Sequence, residues 1–140
     1  MIIFNAVYWL SRNVLGGVML IRVMYGCDIP RRADISELVE FPHHALGAVI
    51  APNAVIKKNV TIQHHVTIGM NGEGKAPIIH EGACIGAGAL ILGDVEIGEN
   101  AIVGAETIVT KSVKANGTYI NPTEIIDIRK GSLDENISNT

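Results

Sequence analysis

An apolar residue returns at every sixth position through most of the segment 50–114. A helix would place apolar residues three and four apart and a half-buried strand would alternate them, so a strict period of six fits neither. Short flat strands joined by tight turns do fit it, and the segment is predicted to be a coil of β-strands around a thin core. The first place of each six is always Ile or Val: Ile50, Ile56, Ile62, Ile68, Ile79, Ile85, Ile91, Ile97, Val103 and Val109.

Two segments interrupt this period. Between Ile35 and Ile50 the spacing slips, and the slip contains the sequence PHHALG at 42–47. The sequence MNGEGKAP at 70–77 separates Ile68 from Ile79 by more than one six, and its glycines and proline predict a loop that leaves the coil. Departures from a strong repeat, and loops on a rigid scaffold, are where functional residues are expected.

Composition narrows the class of protein. The length predicts a single domain, and a net charge of −3 provides no broad basic surface, which argues against nucleic-acid binding. Only two cysteines occur, and Cys84 lies inside the repeat, where a buried free thiol is ordinary packing. No disulfide framework is indicated, which favours a reducing, cytoplasmic setting.

The segment 1–26 is the most apolar part outside the repeat. Arg12 and Arg22 interrupt it before a membrane-spanning length accumulates, and it lacks the charge order and cleavage site of a signal peptide. It is predicted to be a short helical cap, for which packing on the first rung or on another subunit is favoured over a membrane surface. The polar segment 127–140 is predicted to be a disordered tail.

Six pieces of the chain, in order, resemble the serine O-acetyltransferases among the hexapeptide-repeat acyltransferases, above all the short members associated with bacterial surface-polysaccharide loci. They are CDIP (27–30), PHHALGAVIAPNAVI (42–56), NVTIQHHVTIG (59–69), GKAP (74–77), IGAGALILGDVEIG (85–98) and NPTEII (121–126). The resemblance covers 27–126 and implies a mainly β fold, a left-handed parallel β-helix. It also implies a homotrimer whose three clefts each use residues from two chains.

The resemblance places a catalytic histidine just before the strand that begins at Gly47, with an upstream aspartate that orients it. Asp28 matches that aspartate. Counting forward from Asp28 selects His43 as the base, counting backward from Gly47 selects His44, and the preceding proline favours His43. An imidazole, with an intrinsic pKa near 6.5, can take a proton from an acceptor hydroxyl near neutrality, so the acceptor attacks the thioester directly.

The resemblance also implies acetyl-CoA as the acyl donor, held largely by main-chain groups along a groove. The matching positions are Gly69 and Met70 at the loop start, Ala87 and Ala105, and backbone donors near Gly69 would support the oxyanion. Lys75 and Lys111 could meet phosphates as point charges. Simple repeat packing explains each alanine taken alone, and their alignment along one edge would favour CoA.

The acceptor stays open at the level of sequence. Serine-forming members carry an arginine and a histidine in the extruded loop where this chain has Lys75 and Ala76, and one short helical segment is expected here in place of their N-terminal helical domain. A sugar hydroxyl or amine, on a nucleotide sugar or polysaccharide precursor, is therefore an alternative to serine. A catalytically silent trimeric scaffold is the alternative outside enzymes.

Histidines elsewhere raise the alternative of a metal site. A β-helix carbonic anhydrase also uses three histidines, but its paired ligands are four residues apart on one strand, and that spacing does not occur here. Surface or interface positions are favoured for His64, His65 and His80, and no metal is predicted.

Overall fold

The computed structural model describes residues 6–8, 10 and 16–121, which form a left-handed parallel β-helix below a helical cap. The cap includes α1, Gly17–Tyr25, and residues 6–8 and 10 are also helical. The strands are β1 Asp34–Ile35, β2 Val49–Ile50, β3 Val55–Ile56, β4 Thr61–Ile62, β5 Thr67–Gly69, β6 Ile78–Ile79, β7 Cys84–Ile85, β8 Leu90–Leu92, β9 Glu96–Ile97, β10 Ile102–Val103, β11 Ile108–Val109 and β12 Thr118–Tyr119.

The strands form three parallel sheets of four, so the coil has three flat faces. The first face contains β2, β5, β8 and β11, the second contains β1, β3, β6 and β9, and the third contains β4, β7, β10 and β12. Three sixes of sequence therefore make one rung, as Ile50 pairing with Ile68 shows. This matches the fold that the repeat and the resemblance predict.

The core is the stack of residues at the first and fifth places of each six. Ile62, Ile68, Ile79, Ile85, Ile91 and Ile97 are fully buried, and small residues such as Ala83, Ala89 and Ala101 fill the space between them. Each rung buries only two side chains per face, so burial depends on the rung above and the rung below. The predicted core is confirmed.

The interruptions leave the coil while the strands on either side stay in register. Ile35 pairs with Ile56 across the turn Pro42–Ala45, and Ile68 pairs with Ile91 across the loop 70–77. The loop is compact: Asn71 Oδ1 accepts hydrogen bonds from the backbone N–H groups of Glu73 and Lys75, each at 3.0 Å. The predicted extruded loop is therefore an ordered structure on the coil.

The cap packs by one side of α1. Gly17 and Ile21 are buried against the coil, and the helix ends where Gly26 donates to Arg22 O at 3.0 Å. Among the described residues, no helix has the length and hydropathy to cross a bilayer. Predicted segments at 122–126 and 127–140 lie outside the described residues.

The two cysteines differ from the expectation. Cys27 is the buried thiol, whereas Cys84 is half-buried. Cys84 occupies the place before Ile85 in the six, and side chains at that place point away from the core. Both thiols are free. The prediction of a buried Cys84 was wrong, because successive side chains of a strand point to opposite sides. In β7 the side chain of Ile85 points into the core, so that of Cys84 points outward.

Candidate active site

The turns between the third and first faces stack into one edge of the coil, which we call the histidine edge. It consists of residues 43–47, 63–65, 86–88 and 104–106, with Asn121 at its far end. Backbone hydrogen bonds join each turn to the next: His65 N to Leu46 O (2.7 Å), Gly88 N to His64 O (3.0 Å) and Glu106 N to Ala87 O (2.8 Å). Asn121 Nδ2 completes the row by donating to Glu106 O at 2.8 Å.

His43 and His44 lie at the lower end of this edge, in the turn that the broken period predicted. Both have left-handed backbone dihedrals with φ of 57°, and both side chains are exposed. Their rings point to different neighbours. His43 packs edge-on against His64, with ring centroids 5.1 Å apart, while His44 lies 5.7 Å from the Tyr25 ring at the end of α1.

His64 and His65 form the next step of the edge, with ring centroids 5.4 Å apart. The His64 Nδ1 atom is buried without a hydrogen-bond partner. A buried N–H without an acceptor is costly, so the tautomer with the proton on Nε2 is favoured. His65 fills the space beside Gly47, where a Cβ would collide with the imidazole. Three imidazoles, of His43, His64 and His65, are thus in sequence along the edge.

Asp28 lies one rung below the strand that follows the two histidines. It bridges Val49, and its backbone N–H donates to Ala48 O at 2.8 Å. Its carboxylate accepts a hydrogen bond from Arg22 at 3.0 Å, and among the described residues this is its side-chain partner. Among the described residues, the Asp28 carboxylate therefore pairs with Arg22 of α1 and not with a histidine.

The predicted acetyl-CoA residues divide between two edges. Ala87 and Ala105 lie on the histidine edge, directly above His64 in the stack of turns. Gly69 ends strand β5 on the first face. Met70, Lys75 and Lys111 follow where that face turns into the second, which we call the loop edge: residues 51–54, 70–77, 93–95 and 110–112. The first face separates the two groups, so one chain does not bring them together.

Lys75 is engaged within the loop edge. Its Nζ lies 2.8 Å from Asp94 Oδ2 and 3.8 Å from Glu73 Oε2. The hydrogen bond and charge of Asp94 raise the pKa of the Lys75 ammonium above its ordinary value. Lys111 is exposed beyond β11. Among the described residues, Lys111 has no carboxylate within ion-pair distance, unlike Lys75.

His80 lies on neither of these edges. Its Nε2 is 2.9 Å from Glu96 Oε2, on the second face. The three histidines that raised the metal alternative are therefore separated, with His64 and His65 together and His80 apart. No group of three potential metal ligands with a suitable arrangement occurs among residues 6–8, 10 and 16–121.

The repeat identifies the family. The sequence profile described as bacterial transferase hexapeptide, six repeats, matches residues 76–111, which contribute β6 to β11. Residues 76–111 of this chain therefore carry the repeat of the bacterial transferase hexapeptide family.

Relatives of this hexapeptide chain include named serine acetyltransferases. That of Buchnera aphidicola subsp. Schizaphis graminum is 37% identical over 117 residues, which are 80% of this chain and 44% of the relative. Soybean serine acetyltransferase complexed with serine superposes with a TM-score of 0.71 and 37% identity, over 88% of this chain and 53% of that one. A serine acetyltransferase in complex with CoA superposes with a TM-score of 0.70 and 33% identity, over 89% of this chain and 52% of that one.

The hexapeptide chain spans less than half the length of the curated relatives that it matches.

Sequence reasoning about the hexapeptide coil did not place His64 beside His43. The turn 63–65 has no break in the period, so it lacked the signal that identified 42–47. Counting residues per rung gives another signal, because a turn three sixes further along the chain lies directly above the first turn. Counting rungs from Leu46 to His65 would have placed the second pair of histidines on the same edge.

Proposed function

We propose that this chain transfers the acetyl group of acetyl-CoA to the hydroxyl of serine or a similar small acceptor. The observation that carries the proposal is that His43 and His64 share one edge of the coil with the small turns at Ala87 and Ala105. Acyl transfer from a thioester needs a base beside the bound donor, and here the small turns continue the edge on which the histidines lie. The similarity to named serine acetyltransferases favours serine as the acceptor.

His43 is the proposed general base. Its ring is exposed and points up the edge toward His64 and the small turns, whereas the His44 ring neighbours Tyr25 at the cap end. The base takes the proton of the acceptor hydroxyl as the oxygen attacks the thioester carbonyl, and the collapse of the tetrahedral intermediate releases CoA thiolate. The imidazolium then provides a proton to the thiolate, so no covalent enzyme intermediate is needed.

Asp28 is the proposed positioning residue for this histidine. Its pair with Arg22 is exposed at the surface, where such pairs contribute only about 0–1 kcal/mol. Rotation of the carboxylate from Arg22 to an imidazole N–H therefore costs little, and the negative charge would stabilise the imidazolium formed during transfer. Arg22→Ala should accordingly preserve activity, while Asp28→Asn should lower kcat.

The pantetheine arm of acetyl-CoA is proposed to lie along the histidine edge. Ala87 is half-buried and Ala105 exposed, and their methyl groups let a chain approach the backbone closely. Substitution of Ala105 by a large residue such as Trp should raise the KM for acetyl-CoA. The same change at Ala115, an exposed alanine away from this edge, is the matched control.

A homotrimer completes the proposed site. Outward-facing Val49, Thr67, Leu90 and Ile108 form a row on the first face, between the two edges, that is apolar except at Thr67. A heterologous contact repeated around a threefold axis closes a ring and brings the loop edge of one chain to the histidine edge of the next. Gly69, Met70 and Lys111 would then reach the cofactor from the neighbouring chain, with the Gly69 backbone near the oxyanion. Leu90→Glu should yield monomers in sedimentation analysis and abolish activity.

A sugar or nucleotide sugar is the second candidate acceptor. In the serine-forming pattern an arginine precedes a histidine in this loop, and here Lys75 stands in the place of that arginine. The Lys75 ammonium is already paired with the Asp94 carboxylate. A serine carboxylate would therefore compete with Asp94 for that charge. A sugar acceptor needs no such cation.

Release of CoA from acetyl-CoA by purified protein separates these candidates. Serine, a panel of sugars and nucleotide sugars, and buffer are offered in parallel. Release that depends on serine supports the proposed function, and release only with a sugar moves the acceptor to carbohydrate. Absence of release with every acceptor, together with absence of CoA binding in calorimetry, would overturn the enzyme proposal in favour of a trimeric scaffold.

A further inference from the structure

One arginine lies at the cap end of the histidine edge. The turns of that edge contain no lysine or arginine. Helix α1 provides a cation there, because its last turn contains both Arg22 and Tyr25, and the Tyr25 ring lies 5.7 Å from the His44 ring. The pantetheine arm is proposed to lie above His43, which leaves the cap side of the base for the acceptor. Arg22 is therefore a cation on the side from which the acceptor meets the base.

The pair with Asp28 shows that the Arg22 guanidinium holds a carboxylate in this place. Arg22 Nη2 donates to Asp28 Oδ2 at 3.0 Å, and the Asp28 backbone N–H donates to Ala48 O, directly after the turn of the two histidines. Both side chains are about half exposed, at 57% and 42%, so that solutes reach the pair. The contact uses one nitrogen of a planar fork with five N–H donors. Among the described residues, the guanidinium thus has donors left for a second anion.

We propose that Arg22 binds the anionic group of the acceptor, which is the carboxylate when the acceptor is serine. The inference rests on the proposed function, since it names the residue that recognises the acceptor of that site. A charge-assisted, two-pronged hydrogen bond to a carboxylate is the interaction for which a guanidinium is best suited. A phosphate of a nucleotide sugar has the same chemistry and would occupy the same place.

Binding of this anion is coupled to the orientation of the base. When the Asp28 carboxylate turns to an imidazole, Arg22 loses its side-chain partner among the described residues. The acceptor anion then takes the vacated place and balances the arginine charge. An anionic acceptor therefore favours the arrangement in which Asp28 stabilises the imidazolium, whereas an uncharged acceptor leaves Asp28 with Arg22.

Other cations are less suited to this role. Lys75 is paired with Asp94 at 2.8 Å and lies on the loop edge, which the first face separates from the histidine edge of the same chain. Arg32 lies in the turn between the Asp28 bridge and β1, below that same loop edge. Both could meet the acceptor only from a neighbouring chain.

Steady-state kinetics with serine and L-serinamide test the assignment. Serinamide keeps the hydroxyl and the amine of serine but lacks the carboxylate. Arg22→Ala should raise the KM for serine about 10- to 100-fold, the loss typical of one charge-assisted hydrogen bond. Its kcat at saturating serine should change little, because Asp28 and the base remain, and its KM for serinamide should change little as well. Arg22→Lys, which keeps the charge without the planar fork, should recover part of the serine affinity.

Lys58→Ala is the matched control. Lys58 pairs with Glu81 at 3.3 Å on another edge, with exposed fractions of 55% and 43% that are close to those of the Arg22–Asp28 pair. Its KM for serine should equal that of the wild type, and circular dichroism should show that both variants are folded. If the acceptor is a nucleotide sugar, the free sugar replaces serinamide in the same comparison.

The possible failures are distinguishable. Serine-dependent release of CoA by the wild type, with an unchanged serine KM in Arg22→Ala, would overturn this inference and leave the proposed function standing. A raised serine KM in Arg32→Ala but not in Arg22→Ala would overturn it as well, since the cation would then come from a neighbouring chain. Release by the wild type only with uncharged sugars would also contradict it. Absence of release with every acceptor would overturn the proposed function and this inference together.

Discussion

The imidazole of His64 packs edge-on against that of His43, with ring centroids 5.1 Å apart and planes at 84°, although the two residues belong to different rungs. The contact restricts the His43 ring, whose own turn is exposed. The position of the proposed base is therefore set by the rung above it. Misplacement of a catalytic group by about 1 Å can cost about a hundredfold in rate, so this contact matters if His43 is the base.

Removal of the contact should lower catalysis without abolishing it. His64→Ala is expected to reduce kcat about 10- to 100-fold with little change in the KM for acetyl-CoA. His64→Phe, which keeps an aromatic ring beside His43, should restore part of the rate. His80→Ala is the control, because His80 lies on another edge beside Glu96. A wild-type kcat in His64→Ala would refute the positioning role.

Gly47→Ala should destabilise the fold. Gly47 has φ of +66°, which L-residues adopt at a cost, and a Cβ there would meet the His65 imidazole. Together these effects predict a loss of about 1–3 kcal/mol in the free energy of unfolding, measured in urea at one protein concentration. Gly72→Ala is the control, since a Cβ at Gly72 meets nothing within 4 Å. Equal stabilities of the two variants would contradict the packing described.

Asp94→Asn should lower the pKa of Lys75. Asp94 raises that pKa above its ordinary value of 10.5, so its contribution to stability is fully present below pH 10.5 and is lost as pH rises through the folded-state pKa. NMR titration of the Lys75 side chain measures the shift directly. Glu73→Gln, which removes the more distant carboxylate at 3.8 Å, should have a smaller effect. The reverse order of effects would contradict the assigned pairing.

The two thiols should differ in reactivity. Burial, supplemented by the Asp28 charge, raises the pKa of Cys27 above its ordinary value of 9.0, which keeps the thiol protonated and hidden. Because burial penalises the thiolate, the free energy of unfolding should fall as pH rises from 9.0 through the raised pKa of Cys27. At pH 8, a thiol reagent should modify Cys84 first, and Cys84→Ser should remove the fast phase. A fast phase that persists in Cys84→Ser would contradict the burial of Cys27.

The rungs could be predicted because the same apolar place recurs in every six, so each Ile stacks on the Ile three sixes along the chain. Ile50 and Ile68 therefore lie where the period places them. The arrangement of the candidate site residues was harder to predict, because the two interruptions change the number of residues from one rung to the next. The separation of Ala87 from Met70 by a whole face becomes visible only when those extra residues are assigned to turns.

The hydrogen-bond partner of Asp28 could not be predicted from the repeat, for another reason. Arg22 belongs to the cap, whose placement on the coil depends on Ile21 and Cys27 rather than on any period. Side-chain choices between a nearby arginine and a histidine are decided by tertiary packing. Periodicity carries no information about them.

The most direct test of the account is kcat for serine-dependent CoA release by His43→Ala and His44→Ala, with sedimentation confirming that each variant keeps the assembly of the wild type. Loss of a positioned base typically costs about 10²–10⁴-fold, so His43→Ala should lose that factor and His44→Ala should keep most of the rate. A wild-type rate in His43→Ala with loss in His44→Ala would contradict the assignment of the base. A wild-type rate in the double variant would contradict histidine catalysis altogether.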